Sequence, residues 1–408
     1  MEIKMKYQYT YFIYPYVVKE NNYEKYLSKL FHDKNCKLKT LEKDQNLDLY
    51  TYFLPKIRNY MFWTLEFSGI KMKKLNEFDN SMKATIVSKY PCTIFEYKID
   101  KDIQGKTTDK EGIFFNIRNI DIICFNTGIC FLVMKTTLDE GSSLSDLCNF
   151  NYKFRDIYSS ANRLKDFENI KIQTDTFKDI KSITSLIKEL TGKNDGAKEL
   201  NIDIDRFITY SYACIGQEDW NENTNQELLS KEFYKLVNVE PANFNVNCET
   251  VEDMNASKFI KHGCTTVGNM LLTSDINTEN YTKVPNKYEN EFLYNYIFVL
   301  YKKLYLNKLN EEFKVIKKFN NVRKEFTKFT QELWIEDITN DEQGKKLTEK
   351  WNKILNIDKL FTDTKQKYYV MYKNINVEKI AKSNKGIVCF LAILIIINII
   401  NCITLLFR

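Results

Sequence analysis

Between positions 386 and 407 the chain reads GIVCFLAILIIINIINCITLLF, an uncharged run dominated by Ile and Leu. A helix rises about 1.5 Å per residue, so some 20 apolar residues are needed to cross a hydrocarbon core roughly 30 Å thick. The run reaches that length and predicts a single transmembrane helix; a buried core helix rarely goes about 18 residues without a charge. Lys379, Lys382 and Lys385 precede the run and only Arg408 follows it. The positive-inside rule then places everything before the span in the cytoplasm, with the span in the cell's inner (plasma) membrane. Asn398 and Asn401 lie one turn apart within the run. Their amides require partners in hydrocarbon, on another helix or within a monomer that tolerates them.

The residues ahead of the span suffice for two domains, or for one domain with a long extension. Phe and Tyr are abundant, charge is mixed at +6 net, and no stretch is of low complexity, which predicts order throughout. The mild basic excess follows a general Lys, Asn and Ile bias and does not argue for nucleic acid as a partner. Ten cysteines (36, 92, 124, 130, 148, 214, 248, 264, 389 and 402) form no C-x-x-C pair and fall largely in apolar runs. They read as reduced core residues. The early stretch YTYFIYPYVV is short, rich in tyrosine and broken by Pro15, so it reads as a first strand and not as a signal peptide.

The patterning predicts an α+β protein in three parts: a mixed α/β sensor domain over 1–285, helical stalk over 286–385, and the transmembrane helix over 386–407. After Pro285 proline is absent. Leu293, Ile297, Leu300, Leu304, Leu309, Phe313 and Ile316 then recur at helical spacing. Leu347, Trp351, Ile354, Leu360, Tyr368, Met371, Ile375 and Ile380 form a second stripe, with no helix breaker before Gly386. This predicts a helix running from about 345 to 407, on the order of 90 Å long. Stripes on two long helices also predict self-association through the stalk, hence a homo-oligomer.

Within the front part, GIFFNIRNIDIICFNTGICFLVMKTTL (112–138) predicts a buried hairpin, with Asn126-Thr127-Gly128 as its turn. Ser143 and Asp146 make a capping box opening a helix that carries Asn149, Tyr152, Lys153, Arg155 and Asp156. The segment ELNIDIDRFITYSYACIG (199–216) alternates as a strand does and sets Asp205 beside Arg206.

Two histidines, His32 and His262, are too few and too separated for a His-based metal site or catalytic dyad. The signatures of a P-loop, a Rossmann cofactor site and a hydrolase elbow are all missing, so no catalytic residue, metal site or cofactor is predicted and an enzyme ranks last. The candidate binding residues are Arg118 in the first hairpin strand, Arg155 after the capped helix, and the Asp205-Arg206 pair. Arginines near strand and helix ends bind phosphate bidentately, and a neighbouring carboxylate can take a ribose hydroxyl or an amine. The same residues also fit a purely structural ion pair.

In order, the hairpin DIICFNTGICFLVMKTTL, the helix NFNYKFRDIY, the strand IDIDRF, the helix YENEFLYNYIFVLYKKLYLNKLNEEF and the segment LWIEDITNDEQGKKLTEKWNKIL resemble a CorA-like membrane protein family associated with type III CRISPR systems. The resemblance runs from about 112 to 408 and rests on the order of five weak motifs. It implies a cytosolic domain that senses a nucleotide second messenger, a conjugate of S-adenosylmethionine with AMP, and acts through an oligomeric membrane pore. The family's Arg-Arg falls on Arg155 and Asp156, and its Asp-Asp-Arg on Ile204, Asp205 and Arg206, so each motif keeps all but one member. The stalk element E-x-Q-G is matched in part by Asp341-Glu342-Gln343-Gly344. CorA-type channels use two transmembrane helices joined by a Gly-Met-Asn loop; this sequence carries one helix and no such loop. That is expected of a truncated or tail-anchored relative, or of an incomplete sequence, and it disfavours magnesium transport by the usual route.

Two functions therefore compete: a ligand-gated membrane effector of antiviral defence, and a tail-anchored interaction protein without channel activity. A divergent CorA-type cation transporter is a variant of the first.

Overall fold

The computed structural model describes residues 3–64, 68–69, 72–99, 103–106, 112–157, 171–173, 181–192, 205–224, 226–247, 251–254, 257–315, 319–334 and 337–406. It contains a mixed α/β sheet domain and a long C-terminal helix, in line with the predicted fold class. Two compact units form, one from Met1–Tyr305 with Ile335–Ile357 and the other from Leu306–Trp334 with Asp358–Arg408.

The first unit is built on one sheet. Its strands are β1 (Met5–Val17), β2 (Cys36–Leu41), β3 (Trp63–Thr64), β4 (Cys92–Tyr97), β5 (Ile103–Lys106), β6 (Phe114–Phe125), β7 (Ile129–Leu138), β8 (Lys171–Gln173), β9 (Lys181–Ser182), β10 (Ile208–Ile215), β11 (Ile260–Cys264) and β12 (Gly268–Ser274). The main order is β11-β12-β10-β1-β7-β6-β4-β2-β3, with β5, β8 and β9 branching from β6. Among the described residues only β10–β12 and β2–β3 pair in parallel. Pro15 lies inside β1 but beyond its last pair with β10, Ile13↔Ile208, so its missing N–H removes no bond to that neighbour. The predicted hairpin is β6–β7. Its Gly128 has φ +83°, and a Cβ there would sit 2.2 Å from the Val18 carbonyl oxygen, so both backbone conformation and space demand glycine.

Both faces of the sheet are apolar because both are covered. Alternation sends Phe12, Tyr14 and Tyr16 one way, together with Ile120, Ile122, Cys130 and Leu132, into a core closed by helices Tyr23–His32, Asn80–Val87, Leu144–Phe154, Ile183–Thr191 and Gln226–Asn238. The other face carries Tyr9, Tyr11, Asp121 and Phe125 against the helix Leu293–Glu312 and the turns before it. Tyr301 stacks on Phe125 at 3.6 Å between ring centroids, and the Tyr9 hydroxyl donates to the Pro285 carbonyl at 2.9 Å. Burying each such side chain contributes about 1.5–3 kcal/mol.

Two expectations about the stalk need correction. The boundary at 285 falls inside the first unit, and the helix Leu293–Glu312 is no free-standing stripe: Leu293 through Lys302 are all buried, polar residues included. A helix that is apolar nearly all round belongs in a core, and periodicity picks out only one of its faces. The helix expected from 345 to 407 is in fact two, Glu342–Ile354 and Ile357–Leu406, parted at Asn356 with φ +55°. Asparagine enters the left-handed region at lower cost than most residues, and buried Leu355 and Ile357 hold the turn on either side. Ile316, Phe407 and the 199–204 part of the alternating segment lie outside the described residues.

In the second unit, helix Phe319–Glu332 packs on the first turns of the 50-residue helix through aromatic side chains. Trp334 stacks on Phe361 at 3.8 Å, and Tyr368 meets Phe313, Phe319 and Phe326. At 1.5 Å per residue the long helix spans about 75 Å. Gly386 does not interrupt it. By length and composition it is the one described helix able to cross a membrane, with mean hydropathy 2.1 and none of its apolar stretch buried.

Candidate functional site

The capping box at Ser143 is formed as predicted: its hydroxyl accepts from the Asp146 N–H at 3.2 Å and the Asp146 carboxylate accepts from the Ser143 N–H at 2.8 Å. The helix that follows is fixed by Phe150 and Phe154 against Phe12 and Phe115, and by Asn151, whose amide donates to Ser211 Oγ at 3.1 Å. This rigid seat delivers Arg155 to the helix C-terminus, in front of the segment leading into β10.

There the backbone joins two of the predicted elements. The Phe207 N–H donates to the Arg155 carbonyl and the Ile157 N–H to the Asp205 carbonyl, both at 2.8 Å, so that Asp156 stands opposite Arg206. Arg206 Nε lies 3.0 Å from Asp156 Oδ1, and Arg155 Nε lies 3.9 Å from the same oxygen. Two guanidinium groups thus share one carboxylate. Arg155 is buried, its guanidinium carbon 5.3 Å from the centroid of the Tyr152 ring, and its Nε has no hydrogen-bond partner among the described residues. Burial pulls the Arg155 guanidinium below the usual arginine range; the Asp156 carboxylate opposes this, and the like charge of Arg206 adds to it. Arg206 is about half exposed, and Asp205 is exposed. The arrangement can receive one more anion, because bringing negative charge to a pair of partly neutralised arginines relieves both repulsion and desolvation.

Arg118 is not part of this cluster. It occupies a β-bulge of β6, where Ile117 pairs with Thr136 and Asn119 with Lys135, and its Nε donates to Thr137 Oγ1 at 2.9 Å. Thr137 and Lys135 alternate with Thr136 and Met134, so Arg118 lies on the sheet face opposite the Leu144–Phe154 helix. Ile204 lies outside the described residues. Asp156, in the sequence merely a replaced arginine, turns out to be the shared carboxylate. Glu240, whose charge also reaches Arg155, carried no sequence signal.

His262 is buried, bonded through Nε2 to Asn269 Oδ1 at 2.8 Å, and pushed down to a pKa of about 4 by that burial, which makes it a neutral core residue. His32 sits on a surface helix against the Ser28 carbonyl. Among the described residues no group of three metal-ligating side chains converges. Comparison with known protein families, with characterised proteins and with solved structures finds no match for this chain.

One carboxylate stands apart. Glu291 lies in a π-helical turn, Tyr288–Phe292, and its Oε2 has no hydrogen-bond partner among the described residues. Burial raises its pKa from 4.5 to about 7, with Lys287 opposing and Asp48 and Asp341 adding. A raised carboxyl pKa stabilises the fold below pH 4.5, and that contribution is lost as pH rises through about 7. Glu291→Gln is therefore expected to leave stability at pH 4 nearly unchanged and to raise it at pH 8 by about 1–3 kcal/mol. Urea titrations at the two pH values check this, and an equal effect at both would contradict it.

Proposed function

We propose that this chain is a single-pass membrane effector whose soluble unit senses an adenine-nucleotide messenger and signals to the bilayer through its long helix. The observation that carries the reading is continuity: the helix starting at Ile357, directly after the last segment of the unit that holds Arg155 and Arg206, runs unbroken into the apolar stretch. A ligand moves such a device only by binding its two states with different affinity.

The resemblance to the CorA-like family of type III CRISPR systems supports an S-adenosylmethionine–AMP conjugate as the ligand, antiviral defence as the setting and a homo-oligomer as the acting form. Lys379, Lys382 and Lys385 support a cytoplasmic soluble unit at the inner membrane. In this assignment Arg155 and Arg206 take phosphate, and Asp205 takes a ribose hydroxyl or the ligand amine. A tail-anchored interaction protein is the second reading, favoured by the Arg206–Asp156 ion pair, which the chain forms within itself at 3.0 Å.

Calorimetry on the detergent-solubilised full chain, with the conjugate and with cyclic oligoadenylates, separates the two. Arg206→Ala, at a half-exposed position, is expected to cost about 1.5–3 kcal/mol, roughly ten- to hundredfold in affinity. Absence of any adenine-nucleotide binding would leave the interaction protein as the reading.

A further inference from the structure

On the sheet face opposite the Arg155 cluster there is a cleft of about 410 Å³, within the size range of small-molecule sites. Its walls come from the start of β1, the Arg118 bulge, the end of β7 and the turn after it. From Lys6, Arg118, Lys135, Tyr7, Gln8 and Glu140, which all line it, we infer that this cleft is a second ligand site, for a nucleoside monophosphate.

Two irregularities build it. In β1 Met5 pairs with Ile215 and Tyr7 with Cys214, which leaves Lys6 as the extra residue; in β6 Arg118 is the extra residue between Ile117 and Asn119. A bulge breaks the two-residue alternation and re-aims a side chain, and here two bulges on two strands turn their cations toward one cleft. Lys135 adds a third. Its ammonium is held by Glu289 and lies 4.8 Å from the Tyr9 ring centroid, while Arg118 is oriented by its bond to Thr137. Lys6 reaches Glu218 at 3.0 Å in an exposed pair that phosphate can displace at little cost.

The remaining lining suits the rest of a nucleotide. Tyr7 is 43 % exposed and offers a ring for a planar base. Asp139 and Glu140, both exposed in the turn, suit ribose hydroxyls, which donate to carboxylates. Gln8 is buried, its amide nitrogen donates to the Leu138 carbonyl at 3.1 Å, and its Oε1 has no donor among the described residues. The inference is independent of the messenger reading, since it uses none of the residues of the Arg155 cluster.

The test is calorimetric titration of the detergent-solubilised full chain with AMP, adenosine and inorganic phosphate, in wild type, Arg118→Gln and Arg206→Ala. AMP is expected to bind Arg118→Gln at least tenfold more weakly than wild type, and to bind wild type at least tenfold more tightly than adenosine or phosphate alone. Lys6→Gln, at a half-exposed position, is expected to weaken AMP in the same direction. Three results would overturn the site: no AMP binding to wild type, AMP binding unchanged by Arg118→Gln, or AMP binding lost in Arg206→Ala but kept in Arg118→Gln.

Discussion

With lysine in place of both Ile393 and Ile397, the chain is expected to leave the membrane fraction. Both residues lie in the middle of the apolar run and are exposed, and none of that stretch is buried among the described residues. Each charge at the centre of a spanning helix costs about 2.5–3.5 kcal/mol on an insertion scale, so the pair removes on the order of 5–7 kcal/mol from partitioning. Alkaline carbonate extraction followed by sedimentation reads the outcome directly. Lysines at Tyr369 and Val370, exposed on the same helix but ahead of the run, are expected to change nothing. If the doubly substituted span still pellets with the membranes, the helix is not held by its apolar surface.

Trp351→Ala is expected to be the most damaging single change in the first unit. The indole is fully buried, 5.2 Å from the Tyr296 ring and 6.4 Å from the His262 ring, on the helix that immediately precedes Asn356. Deleting so large a buried side chain costs about 3–5 kcal/mol, the removed burial plus the cavity left behind. Against a typical total stability of about 5–15 kcal/mol this lowers the unfolding midpoint by on the order of 10 °C. Thermal unfolding by circular dichroism checks it; a loss below about 1 kcal/mol would mean that Trp351 does not tie its segment to the core.

The elements read correctly from the chain are those set by their own residues. The Asn-Thr-Gly turn, the Ser143–Asp146 box and the helix over the apolar run each need only a short window to be recognised; the turn and the box form as predicted, and the run is helical. What escaped depends on distant chain. Asn356 breaks the long helix without glycine or proline, because Leu355 and Ile357 are anchored on both sides of it. The burial of Leu293–Lys302 all round was hidden because helical spacing names one face and is silent about the others. The bulges at Lys6 and Arg118 exist only relative to the strands they pair with, so no property of β1 or β6 alone announces them. For the Arg155 site the residue types were legible, whereas their meeting around Asp156 rests on a backbone pairing between segments some fifty positions apart.

The first unit takes its last piece, Ile335–Ile357, from far down the chain, after an excursion of some thirty residues. On a ribosome this sets a schedule. The core around Tyr296 and His262 cannot close until Trp351 has emerged, and the apolar run begins about 35 residues later, a few seconds of synthesis at typical rates of about 5–20 residues per second. Closure of the core and delivery of the span to the membrane therefore fall in the same short interval. A slow step in the first leaves a chain that is already tethered while its sheet is still open on one face.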